Sequence, residues 1–251
     1  MAGVLLRAGE GDAVFGGRIV IKAAFDELCI TESWYSSARA GAGPHFHREH
    51  TDSFYVLEGE LAVLVRDEEQ LVGPGGCACA PPGVVHGFRS TSPARFLNVH
   101  TPDGGFAENL RDLDRGGAGG FDSVDAEVGS GLAATDAVLL GAGEGERLPT
   151  ETRVATIKIG REELSLIEFE LEPGFEGPAP HSHADHVDSF YVLEGEAEFE
   201  LEGENVLLGP GSFVAAPPGA EHTFTAGPGP SRLLNVHAPS SGFHEWLRET
   251  S

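Results

Sequence analysis

The segment HFHREHTDSFYVLEGE at residues 45–60 returns as HSHADHVDSFYVLEGE at 181–196, and each copy is followed by a PPGxxH segment, at 81–86 and 217–222. A constant 136 positions separate His45 from His181, Asp52 from Asp188 and His86 from His222, so no residue is gained or lost inside the repeated block. Such a chain folds as one structure written twice. The duplication is wider than the histidines. VLLRAGEGD (4–12) reappears as VLLGAGEGE (138–146), and RFLNVHTPDGGF (95–106) as RLLNVHAPSSGF (232–243), after a single insertion beyond His222.

The repeat divides the 251 residues into two domains, 1–117 and 132–251, joined by a Gly-rich linker at 118–131 whose composition predicts a flexible or loop-rich connection. Runs such as Phe54–Leu57, Leu61–Val65, Phe190–Leu193, Ala197–Leu201 and Arg232–Val236 are rich in Val, Leu, Phe and Tyr and are mostly bounded by Gly or Pro, which predicts strands. The LEGE segments, with Gly59 and Gly195 between two such runs, predict hairpin turns. Helical spacing is confined to Phe106, Leu110 and Leu113 and to Phe243, Trp246 and Leu247, so each domain closes with a short amphipathic helix. Short strands at regular intervals with no long helix predict an all-β sandwich or barrel.

A formal charge of −24 argues against nucleic acid or an anionic membrane as partner, because attraction to phosphate needs basic patches. It does not identify a substrate. Cys29, Cys77 and Cys79 stand where the second copy has Ser165, Phe213 and Ala215, which assigns them to packing and fits a reducing, cytoplasmic setting. The N-terminal residues carry no apolar run of signal-peptide length, and nowhere does the sequence reach about 18 consecutive apolar residues.

Ten of the 11 histidines form pairs under the repeat: His45/His181, His47/His183, His50/His186, His86/His222 and His100/His237. Residues two apart on a strand share a face, so His45 and His47 can present their imidazoles to one ion, with Asp52 following and His86 arriving from a separate strand. Three imidazoles and a carboxylate suit a divalent Fe, Mn, Ni, Cu, Co or Zn, one per domain.

Both motifs resemble those of the cupins, and specifically the bicupins. The first cupin motif, HxH followed by an acidic residue and a glycine, is matched by His45, His47, Asp52 and Gly59 and again by His181, His183, Asp188 and Gly195. The second is matched by Gly75, Pro81, Gly83 and His86 and by Gly211, Pro217, Gly219 and His222, with Ser90 and Ala226 in place of its final Asn. The resemblance implies two tandem jelly-roll β-barrels with a metal inside each mouth, held by His45, His47, Asp52 and His86 and by His181, His183, Asp188 and His222. Where the family usually carries Glu, both copies carry Asp, whose carboxylate reaches less far. Direct ligation, ligation through water and an effectively three-histidine site all stay open. His50 and His186 are candidates for a catalytic role beside Asp52 and Asp188, or for the fourth ligand. The final pair, His100 and His237, reads as strand residues bonded to backbone.

Phe54, Val56 and Phe88, with Phe190, Val192 and Phe224, share strand parity with the ligands and are expected to line an apolar substrate pocket. Among bicupins the pattern is most similar to the quercetin dioxygenases, which implies an O₂-dependent dioxygenase acting on an aromatic or enolic small molecule. Two alternatives stand beside it: a decarboxylase or lyase of oxalate decarboxylase type, for which Arg48 is the one arginine within the first motif, and a non-catalytic metal-containing binding protein. Exposed sheet edges leave a homodimer open.

Overall fold

The computed structural model describes residues 2–130 and 137–251; Gly131, which ends the expected linker, and 132–136, which begin the expected second domain, lie outside them. Two compact units are formed, Asp12–Glu144 and Met1–Gly11 with Gly145–Ser251, called here the N-terminal and C-terminal units. The division in space does not follow the sequence repeat. Val4–Leu6 pairs with Phe213–Ala216, and the repeated Val138–Leu140 pairs with Cys77–Ala80, so each repeat lends its first strand to the other's unit. Strand pairing of this kind covers a sheet edge that would otherwise expose unpaired backbone groups.

The larger sheet of the N-terminal unit has seven strands in the order Val138–Leu140, Cys77–Ala80, Thr51–Glu58, Ala94–Thr101, Leu28–Tyr35, Ile19–Phe25 and Asp12–Val14. Opposite it lie Val124–Asp125, His45–Phe46, His86–Ser90, Leu61–Val65 and Glu68–Val72, with Arg39–Ala40 also pairing His86–Ser90. The C-terminal unit repeats the larger sheet as Val4–Leu6, Phe213–Ala216, Val187–Glu194, Ser231–Ala238, Ser165–Leu171, Arg153–Gly160 and Glu146–Pro149. Its smaller sheet has three strands, Glu204–Leu208, Ala197–Leu201 and His222–Ala226.

The expected jelly-roll barrels are not formed, since no sheet is closed on itself among the described residues. Each unit is instead a pair of open antiparallel sheets packed across one apolar core. In the N-terminal unit Phe54, Val56 and Phe96 of the larger sheet meet Leu61, Val63 and Val65 of the smaller. In the C-terminal unit Phe190, Val192 and Leu233 meet Phe199, Leu201 and Phe224. Gly59 and Gly195 lie where the chain leaves the larger sheet for the smaller. Both adopt positive φ, 73° and 71°, as expected for turns. They do not join a hairpin, however, because Thr51–Glu58 and Leu61–Val65 ladder with other partners and the turn passes the chain from one sheet to the other. A Cβ at Gly59 would meet the Pro93 carbonyl at 1.9 Å, so the close approach admits only glycine.

The predicted helices are Phe106–Asp114 and Phe243–Thr250, entered from Gly105 and Gly242 at positive φ. Leu110 and Leu247 are buried, whereas Leu113 and Trp246 are largely exposed. All three cysteines are buried. No helix among the described residues is long and apolar enough to cross a membrane.

Candidate metal centres

Strand pairing brings the candidate ligands together. His45 opens a two-residue strand that faces His86 in register, and Asp52 lies on the adjoining larger sheet. His47 follows that short strand rather than continuing it, so the approach of the HxH imidazoles comes from a bend and not from a regular pleat. In the C-terminal unit a single bridge, His181 to His222, does the same work.

Both units then hold three imidazoles and one carboxylate, His45, His47, Asp52 and His86 in one and His181, His183, Asp188 and His222 in the other, with donor atoms all within 4.8 Å of one another. His86 Nε2 lies 3.2 Å and His47 Nε2 3.8 Å from Asp52 Oδ2. The matching distances to Asp188 Oδ2 are 3.1 Å from His222 and 3.6 Å from His183. The shorter aspartate therefore reaches the group of imidazoles.

The ring nitrogens facing away from the group are also specified. His45 Nδ1 donates to Gly43 O, His86 Nδ1 to Val84 O, His181 Nδ1 to Ala179 O and His222 Nδ1 to Ala220 O. A proton kept on Nδ1 leaves the Nε2 lone pair for an ion. Nε2 of His47 and of His183 is buried without any hydrogen-bond partner. Burying such an acceptor unpaired costs about 1–3 kcal/mol, so the donor set fits a divalent cation.

Electrostatics agree with that fit at the two aspartates and at His45 and His181 and run against it at metal-free His222. Burial alone would raise the Asp52 and Asp188 carboxyls, but the facing imidazoles, His100 and His237 foremost, outweigh it and hold both well below the usual carboxylate range. Burial lowers His45 and His181, which keeps them neutral and able to ligate. At His222, burial is overcome by the hydrogen bond and charge of Asp188, and the imidazole is raised.

His50 and His186 do not face the cavities. The His50 ring stacks on His47 at 4.0 Å, and His186 lies against His183, tilted, at the same separation. Burial and the neighbouring His47 lower His50 to about 4. The residues that do face the cavities include His100 and His237, each stacked at 3.8 Å on the first helical phenylalanine, Phe106 or Phe243. Sequence reasoning missed them as site residues, together with Asn98 and Asn235. The repeated LNVH segment was the available signal.

One cavity of about 550 Å³ opens on the N-terminal group and another of about 530 Å³ on the C-terminal group. Phe54 and Phe88 line the first, Phe190 and Phe224 the second. Val56 and Val192 do not line either cavity; both are fully buried between the sheets. Phe169, Phe175, Phe243 and Trp246 extend the aromatic wall of the C-terminal cavity, and Arg153 adds one guanidinium. Arg48 lies outside its cavity, its side chain 63% exposed and paired with Asp122.

The profile of the cupin domain matches residues 37–100 and 167–237, more than half of the chain. This chain belongs to the cupin family. As a cupin with two such domains it is similar to the quercetin 2,3-dioxygenase of Bacillus subtilis (strain 168), 23% identical over 94% of this chain and 82% of that one. Among solved structures it is similar to the salicylate 1,2-dioxygenase of Pseudaminobacter salicylatoxidans, at a TM-score of 0.64 and 15% identity, covering 88% of this chain and 74% of that one. It is also similar to the oxalate decarboxylase of Bacillus subtilis, at a TM-score of 0.54 and 15% identity, covering 85% and 68%. At these identities the structural likenesses establish the fold alone. Proteins named for oxidative and for decarboxylating reactions share this fold, so the fold does not fix the reaction.

Proposed function

We propose that this cupin is an O₂-dependent dioxygenase acting on an aromatic or enolic small molecule. The supporting observation is a three-histidine, one-aspartate donor set, its Asp188 and His222 buried and its His181 and His183 partly open, that faces in the C-terminal unit a cavity walled by Phe190, Phe224, Phe175 and Trp246. When bound, a redox-active divalent metal supplies Lewis-acid and electron-transfer chemistry with coordination positions left open. His181, His183, His222 and Asp188 would hold it there, and their counterparts in the other unit would do the same.

The remaining roles belong to the chain's own groups. The aromatic wall binds a planar substrate by area and excludes water from it. Asp188, held ionised, is available either to ligate through Oδ2 or to accept a proton from a substrate hydroxyl. His50 and His186 act behind His47 and His183, holding ring orientation rather than touching substrate. A small molecule is the partner class for cavities of this size.

Oxygen uptake by the metal-loaded protein with a flavonol and enediol panel tests the reading. Uptake stoichiometric with substrate loss is expected, and turnover undiminished in anaerobic buffer would sink it.

A further inference from the structure

Four of the six candidate ligand imidazoles fix their outward proton on the carbonyl two residues earlier, at Gly43, Val84, Ala179 and Ala220. The second histidine of each HxH has no such local acceptor. His47 Nδ1 instead donates to the backbone carbonyl of Asp122, 75 positions along the chain, at 2.5 Å. His183 Nδ1 has no acceptor among the described residues. This is the sharpest difference between two otherwise parallel sites, and it arises in the segment whose composition predicts a flexible linker.

That segment is tied down on both sides of the bond. Asp122 Oδ2 accepts from the backbone N–H of Arg48 at 2.6 Å and of Glu49 at 3.1 Å, while Oδ1 accepts from Arg48 Nη1 at 3.1 Å. Val124 and Asp125 then pair with Phe46 and His45, adding a strand to the sheet that carries the HxH bend. Phe121 packs on His47 at 5.2 Å and on His50 at 4.6 Å. The His47 side chain is 3% exposed, against 22% for His183.

We propose that Phe121–Asp125 is an integral part of the N-terminal metal centre, with Asp122 the positioning residue for His47, and that the two centres consequently hold metal unequally, tightly in the N-terminal unit and labilely in the C-terminal one. This rests on the reading of the HxH histidines as ligands. Ligation through Nε2 requires the proton on Nδ1, and an acceptor placed there selects that tautomer before the ion arrives and raises the donor strength of Nε2. Without it, His183 must select tautomer and ring orientation on binding. Partners of this kind are typically worth 10- to 100-fold in metal affinity. At limiting metal the chain then carries one ion, in the N-terminal centre, and the C-terminal centre loads last.

Zn²⁺ competition against a chromophoric chelator, in full-length proteins with one centre removed, tests this. His181→Ala/His183→Ala leaves the N-terminal centre and His45→Ala/His47→Ala the C-terminal one. The N-terminal centre is expected to bind Zn²⁺ about 10- to 100-fold more tightly. Asp122→Ala in the first protein keeps the main-chain carbonyl but removes the carboxylate that ties it in place through the Arg48 and Glu49 N–H groups, so its affinity should fall toward the C-terminal value, and Asp122→Asn, which keeps an acceptor for the two N–H groups, should restore most of it. In the second protein Asp122→Ala leaves Zn²⁺ affinity unchanged, which a general folding defect would not. Equal affinities, a tighter C-terminal centre, or an N-terminal affinity indifferent to Asp122 overturns the proposal. The comparison of the two centres decides it even where an Asp122 variant does not fold. Failure of both proteins to take up Zn²⁺ would instead remove the ligand assignment itself.

Discussion

Asn235 donates its side-chain amide to Asp188 Oδ1 at 2.6 Å, and Asn98 makes the same bond to Asp52 Oδ1 at 2.5 Å. Each asparagine lies on the long strand next to that of its aspartate and also donates to a backbone carbonyl, Ser189 O or Ser53 O, so its amide plane is fixed twice. The bond occupies one carboxylate oxygen and leaves Oδ2 turned to the imidazoles. In this chain the short acidic side chain is held at the centre by an amide.

Asn235→Ala is therefore expected to loosen Asp188 without removing any candidate ligand. Hydrogen bonds to charged groups contribute about 1.5–3 kcal/mol. Urea unfolding should show a loss of that order, and chelator competition a metal affinity about tenfold lower at the C-terminal centre. Wild-type affinity in this variant would show that Asp188 is positioned by other groups.

Burial sets the pH response of the metal-free protein. It lowers His100 to about 3 and His50 to about 4, against about 6.5 for an unfolded histidine. Between about pH 6.5 and pH 4 the unfolded chain thus binds protons that the folded one does not. Stability present above pH 6.5 is lost as pH falls through that window, at up to about 1.4 kcal/mol per pH unit for each group. Asp52, held far below the usual carboxylate range, adds to the slope only below about pH 5, where the unfolded carboxylate begins to take up protons. Urea midpoints at pH 7.5, 6 and 5 should decline in that order, and His50→Gln should flatten the decline; a flat profile in the wild type contradicts the assignment.

Metal removal should destabilise the fold. With free ion at a hundredfold its Kd, binding to the folded state alone adds about 2.7 kcal/mol per centre. Melting curves with Zn²⁺ and after chelation should separate by several degrees, and the separation should shrink in the His181→Ala/His183→Ala variant.

Trp246 separates ligand binding from folding. It lines the C-terminal cavity yet is 49% exposed, so Trp246→Ala should change stability by less than about 1 kcal/mol. The same variant should raise KM for an aromatic substrate while kcat and metal content hold. Unaltered KM would place the substrate elsewhere.

Much of the site was legible because its spacing is repeated. His45, His47, Asp52 and His86 recur as a set, and a duplicated set of ligating residue types is hard to explain by packing alone. The second tier was not legible. Asn98 and His100 sit in an apolar strand whose alternation reads equally well as core, and only the pairing of Ala94–Thr101 beside Thr51–Glu58 brings Asn98 to Asp52. Val56 follows the parity rule and still lies in the core, because parity assigns a face of the sheet and not a depth along it.

By itself the sequence determined that there are two alike units, that each is built of short strands with a terminal helix, and that three histidines recur in one register beside an aspartate in each. These follow from local patterns and from a register that the repeat writes twice. Tertiary structure alone decided that the sheets stay open, that Val4–Leu6 and Val138–Leu140 cross into each other's units, and that Asp122 completes one centre and not the other. Those outcomes depend on which backbone groups remain unpaired once the sheets have formed, a condition that distant parts of the chain meet.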